Sequence, residues 1–166
     1  YYACLITPAS ISTSPVISAT GNFIINTNGQ EWTKTMGYLK NSPDGRLLAA
    51  AHYIYDYIEL TDFNTTTGAI SNPRKLYARP SGIFPTIVDG AYGLEFSPDS
   101  RLLYVSGHYD LPNDTAVIYQ FDVTQPTETA VQASKSFVTG SSWLNAPTAL
   151  QLGPDKKIYA ALHSQY

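Results

Sequence analysis

Asn41-Ser42-Pro43-Asp44-Gly45-Arg46-Leu47-Leu48 returns as Phe96-Ser97-Pro98-Asp99-Ser100-Arg101-Leu102-Leu103, and again as Leu152-Gly153-Pro154-Asp155-Lys156-Lys157-Ile158-Tyr159. The three prolines stand 55 and 56 residues apart, a period typical of architectures that stack one supersecondary unit on the next. In each copy proline fixes φ at the second position of a tight turn and aspartate follows. The next residue must then accept positive φ, which Gly45 does freely and Ser100 and Lys156 only at a cost. The motif therefore closes a hairpin.

Apolar segments flank every turn. Met36-Gly37-Tyr38-Leu39, Tyr92 to Phe96 and Ala149 to Leu152 precede it, while Leu47 to Ala51, Leu102 to Val105 and Ile158 to Leu162 follow. These read as first and second strands. A third strand is expected at Tyr57 to Phe63 and at Val117 to Val123, with Asp62 and Asp122 suited to Asx turns. A fourth, more polar strand is expected at Arg74 to Ala78 and at Val131 to Val138. The second strands are almost continuously apolar, so both faces of each antiparallel sheet must be covered. Such sheets repeating along a chain predict an all-β β-propeller with blades of four antiparallel strands. An immunoglobulin-like sandwich would match the strand content but not a hairpin motif at fixed spacing.

The repeat divides the chain into 1–33 (outer strands of a partial blade and a connection, from Tyr1 to Pro8 and Val16 to Thr20), a blade at 34–88, a blade at 89–144, and inner strands of a further blade at 145–166. That is an incomplete set, two full blades plus two half blades. Propellers close with about 4 to 8 blades, so the chain is expected to be a slice of a longer propeller, or else to close by assembling with other copies.

Composition narrows the function. Charged residues are only 14% of the 166, against about 25% in an average soluble domain, while 15 Ser, 17 Thr and 13 Tyr supply an uncharged polar surface suited to strands and loops. With 10 Lys plus Arg against 13 Asp plus Glu the net charge is -3, which lacks the basic footprint of a nucleic-acid binder. No run of 18 apolar residues is present, so no membrane insertion by a helix is expected. Cys4 is the single cysteine and is expected to be a buried apolar side chain.

Ala91-Tyr92-Gly93-Leu94-Glu95-Phe96-Ser97-Pro98-Asp99-Ser100, Leu103-Tyr104-Val105-Ser106, Ile118-Tyr119-Gln120-Phe121-Asp122 and Ala149 to Ala160 resemble propeller repeats of large secreted proteins of gliding bacteria, which commonly end in a type IX secretion sorting domain. More distantly the chain is similar to the YVTN and WD-repeat propellers. The resemblance implies export, a place on the cell surface or in the medium, and passage as cargo of the secretion machinery. It implies no reaction. It also implies O-glycosylation at an Asp, then Ser or Thr, then small residue pattern, which Asp114-Thr115-Ala116 matches, making Thr115 a candidate glycan site.

His52, His108 and His163, the only histidines, fall nine or ten residues after the repeat proline. One shared position puts them toward one face of the propeller, as structural side chains bonded to nearby backbone or as a ligand-binding ring. Blade spacing is too wide for a common zinc site with nitrogen bonds of about 2.0 to 2.1 Å. After His108 the loop with Tyr109, Asp110, Asn113 and Asp114 is longer than its counterpart after His52, and extra length on a rigid scaffold is where binding concentrates. No nucleophile elbow and no phosphate-binding glycine loop occurs, and no metal or cofactor is expected. The expected function is a non-catalytic binding or adhesion module with a protein or glycan ligand. The alternative is a lactonase-like enzyme with acidic and basic side chains converging on the central channel, toward which the inner strands offer mainly Lys40 and Glu95.

Overall fold

A computed structural model describes residues 1–21, 36–53, 55, 57–78, 90–108, 115–142 and 145–164. The hairpin motif builds the same structure three times. β3 (Leu39–Asn41) turns into β4 (Leu47–His52), β7 (Ala91–Phe96) into β8 (Leu102–His108), and β11 (Asn145–Leu152) into β12 (Ile158–Ser164). At the turn Gly45, Ser100 and Lys156 take φ of 72°, 61° and 64°. Their N–H groups donate to the carbonyls of Ser42, Ser97 and Gly153 at 2.8, 2.9 and 3.0 Å.

Side chains brace these turns. Ser97 Oγ donates to Asp99 Oδ1 at 2.6 Å and accepts from the amides of Arg101 and Leu102 at 3.1 and 2.9 Å. Ser42 repeats the arrangement with Asp44 and Leu47. The hydrogen bond from Ser97 holds the Asp99 carboxyl below its ordinary range, and the Asp155 carboxyl is held low by Lys157. Ser100 converts its strained position into a tie between blades, because its hydroxyl accepts the Asp44 N–H at 3.0 Å.

β5 (Tyr57–Phe63) and β6 (Ile70–Leu76) complete one antiparallel sheet in the order β3-β4-β5-β6, and β9 (Thr115–Asp122) and β10 (Ser136–Ser142) complete a second in the order β7-β8-β9-β10. β11 and β12 pair as a two-stranded sheet, as do the short β1 (Tyr2–Ala3) and β2 (Val16–Ile17). The fold is an all-β propeller of four-stranded blades, here an incomplete set. Alternation in the pleat gives each sheet two distinct faces. Ala49, Ala51, Ile58, Leu60 and Leu76 of the first sheet join Leu94, Phe96, Leu103, Val105 and Phe121 of the second in one buried cluster. Gly93 lies on the opposite face of the second sheet, where a Cβ would stand 2.1 Å from the Thr148 carbonyl oxygen, so β11 packs directly on the backbone of β7.

Three expectations are corrected. Residues 131–138 do not form one strand: a helix, α1 (Glu128–Ala133), precedes β10. Thr127 caps it by accepting the Ala130 N–H, and Glu128 sits in its first turn, where a carboxylate is favoured. Cys4 is exposed, because β1 ends at Ala3 and the chain leaves the sheet before the cysteine. Asp62 does not close an Asx turn but pairs with Arg74 and accepts from Asn72 Nδ2 at 3.0 Å. Asn64 does that work, accepting the amides of Thr66 and Thr67 at 3.0 Å each. Asp122 turns as expected, accepting from Thr124 N.

The two substituted glycine positions behave differently in this geometry. Lys156 is exposed and spends strain without gaining an inter-blade bond, so Lys156→Gly is expected to raise stability by about 0.5–1 kcal/mol. Ser100→Gly relieves the same strain but loses the Asp44 tie, and is expected to be neutral or destabilising by about 1 kcal/mol. Urea unfolding of the two variants checks the contrast.

Candidate functional site

Lys40, Glu95 and Gln151 each stand three residues before a repeat proline, on the inner strands β3, β7 and β11. Register places Lys40 opposite Ala49, on the face of the first sheet that looks toward the second. Glu95 lies opposite Tyr104, on the far face of the second sheet. Lys40 nevertheless reaches it: Nζ donates to Glu95 Oε2 at 3.0 Å and to Gln151 Oε1 at 2.9 Å. A side chain from one sheet can meet both partners only by passing the inner edge of β7, which is the edge that faces the propeller axis. The trio therefore joins the inner strands β3, β7 and β11.

The carboxylate is almost fully enclosed, its side chain 6% exposed, while that of Lys40 is 19% exposed. Glu95 Oε2 also accepts the Leu152 N–H at 2.8 Å, and Oε1 accepts the Phe96 N–H at 3.0 Å. Every charged group is thus matched, as burial in a medium of low polarity requires. Chemically the arrangement holds one ammonium between a carboxylate and an amide oxygen, and the carboxylate is itself fixed by two backbone amides. Nearer the start of the inner strands, Tyr38 and Tyr92 have ring centroids 5.6 Å apart, and Tyr53 meets Tyr92 edge-on at 5.9 Å. Lys40 Nζ lies 5.6 Å from the Tyr38 ring, joining the aromatic group to the polar trio.

The histidine is the last residue of β4 and of β8 and the last but one of β12. His52 pairs with Tyr57, His108 with Ala116 and His163 with Ala146. The His52 ring stacks on Tyr57 with centroids 4.4 Å apart, and its buried Nε2 has no hydrogen-bond partner, so the expected backbone bond is not made from that atom. Tyr109, Asp110, Asn113 and Asp114 lie outside the described residues. Thr115 opens β9 opposite Ser142. Among the described residues no group of three His, Cys, Asp or Glu side chains gathers around a possible metal position, and no helix is long and apolar enough to cross a membrane.

His52 belongs to a second cleft, of about 690 Å³, between the first sheet and the β1–β2 pair. Glu59, 1% exposed, lies there and accepts from the Tyr1 hydroxyl. Burial holds the His52 imidazole below its ordinary value, the Glu59 charge working against that and Lys75 with it. Burial, and then Glu59, push the Tyr57 phenol up to about 12. Gly21 takes a φ of 90° here, a conformation that L side chains rarely adopt, and a Cβ would push on the Glu59 carboxylate, 2.3 Å away.

No protein-family model and no curated protein matches the chain. Several solved structures do, two of which follow. A candidate 6-phosphogluconolactonase from Bacteroides uniformis superposes with a TM-score of 0.55 at 18% identity, over 95% of this chain and 39% of that one. A protein from Lactobacillus plantarum gives 0.50 at 22% identity, over 72% of this chain and 31% of that one. The chain thus spans 31 to 39% of the length of these two proteins, and at such identities the likeness is one of fold.

Removing one partner of the enclosed pair leaves the other charge unmatched. Glu95→Ala is expected to cost about 3 kcal/mol, the low end for buried pairs because Lys40 keeps some access to water; chemical denaturation measures it. His52 adds a pH dependence of known sign. Its folded pKa lies below the ordinary 6.5, so the unfolded chain takes the proton first and stability falls as pH drops through about 6.5 and below. His52→Phe is expected to flatten that share of the slope between about pH 7.5 and pH 5.5.

Proposed function

We propose that these blades belong to a propeller enzyme that hydrolyses a small lactone at its central channel. The observation that carries this reading is the convergence of Lys40, Glu95 and Gln151 from three blades. Opening a lactone needs water to add to the ring carbonyl, the acyl–oxygen bond to break, and the water proton to reach the departing ring oxygen. Negative charge grows on the carbonyl oxygen during the addition, and a fixed cation in a partly enclosed site stabilises it. Lys40 is the candidate for that role, and Glu95 is its positioning residue. The likeness to a candidate 6-phosphogluconolactonase supports the same substrate class. Remaining groups of such a site would come from the other blades of the ring.

A second reading, the binding or adhesion module, is favoured by one specific feature: both oxygens of Glu95 are already occupied, which suits a fixed scaffold as well as a reactive wall. Export and cell-surface placement, as implied by the gliding-bacterial resemblance, belong with this reading.

The full-length protein, assayed by acid release from glucono-δ-lactone and its 6-phosphate, is expected to exceed spontaneous hydrolysis. Lys40→Met, with the fold verified by circular dichroism, is expected to lose at least about tenfold of that rate. Hydrolysis no faster than background with both compounds would overturn the lactonase reading and leave the binding module, whose own check is retention on immobilised glycans and recovery of the protein from the culture medium.

A further inference from the structure

β6 is the outermost strand of its sheet, so every second backbone N–H and C=O along it points away from β5. An open row of this kind is a template for pairing with another chain. Here α1, which lies about 53 residues further along the chain, fills it. The Lys75 N–H donates to Glu128 Oε2 at 2.8 Å. Gln132 then treats Tyr77 as a neighbouring strand would: its Oε1 accepts the Tyr77 N–H at 2.7 Å and its Nε2 donates to the Tyr77 carbonyl at 3.0 Å. Lys135 Nζ closes the row on the Ala78 carbonyl at 2.8 Å.

The match is geometric. Glu128 and Gln132 are four residues apart on a helix, a rise of about 6 Å, and Lys75 and Tyr77 are two residues apart on a strand, about 6.6 Å. One helical stripe can therefore read successive outward amides of a strand. Val131, fully buried in the core cluster, fixes the helix at the required depth. Pro73, two residues before Lys75, has no N–H and so adds no further donor to that edge.

We propose that α1 is an edge guard: a ladder of side chains that replaces a fifth strand on β6 and denies that edge to the β6 edge of a second copy of the protein. Two such edges would otherwise pair antiparallel, each offering the other the Lys75 and Tyr77 amides.

The test follows self-association of the full-length protein by light scattering over a range of concentrations. Gln132→Ala frees the Tyr77 amide and is expected to tighten self-association at least tenfold relative to the unaltered protein. Adding Tyr77→Pro removes the freed donor and is expected to return the mass to that of the unaltered protein, while Gln132→Glu, which keeps the acceptor for Tyr77 N–H, is expected not to associate. Loss of stability in Gln132→Ala without a change in mass, or equal association with and without Tyr77→Pro, would overturn the proposal.

Discussion

The burial of one sheet face against the next is the constraint on which the rest of this structure depends. Ala49, Ala51, Ile58, Leu60 and Leu76 are dry only because the second sheet presents Leu94, Phe96, Leu103, Val105 and Phe121 to them. Each fully buried large side chain is worth about 1.5–3 kcal/mol relative to exposure, and one sheet alone would gain almost none of it. The neighbouring blade is therefore part of the folding unit. Bulk on one face meets small residues on the other, which lets the sheets approach closely while Phe96 and Phe121 remain fully enclosed.

Once the sheets are stacked, their repeat positions are brought into contact and can be chemically differentiated. The site three residues before the repeat proline holds Lys40, Glu95 and Gln151, a cation, an anion and an amide that satisfy one another. The site two residues after it holds Gly45, Ser100 and Lys156, all at positive φ, of which Ser100 turns its strain into a bond with the neighbouring turn. The outer rim is handled differently, since α1 interrupts the second blade and answers the polar edge of the first.

Much of this was legible in the sequence because turn chemistry and strand periodicity are local. Pro43-Asp44-Gly45 and its copies fixed the hairpins, and the third strand at Tyr57 to Phe63 has the bounds expected of it. The repeat called for a fourth, more polar strand at Val131 to Val138, yet Thr127 with Glu128 and the helix formers Ala130, Gln132 and Ala133 carried a start signal that outweighed it. Cys4 looked buried by its neighbours, but burial is decided by how far β1 pairs. Lys40 and Glu95 were visible as inner-strand charges, whereas Gln151 was overlooked although alignment of the three prolines would have found it. That Lys40 passes the edge of β7 to reach both is a property of the stacked blades and of no single segment.

The central claim is that three separate blades meet through their inner strands, and a double-mutant cycle on Lys40 and Gln151 tests it most directly. These residues are 111 positions apart, on sheets that flank the second blade from opposite sides. Lys40→Met and Gln151→Leu, singly and together, should give a coupling energy of about 0.5 kcal/mol or more in denaturant unfolding. Additivity within about 0.3 kcal/mol would contradict the account and place the two side chains out of reach of each other.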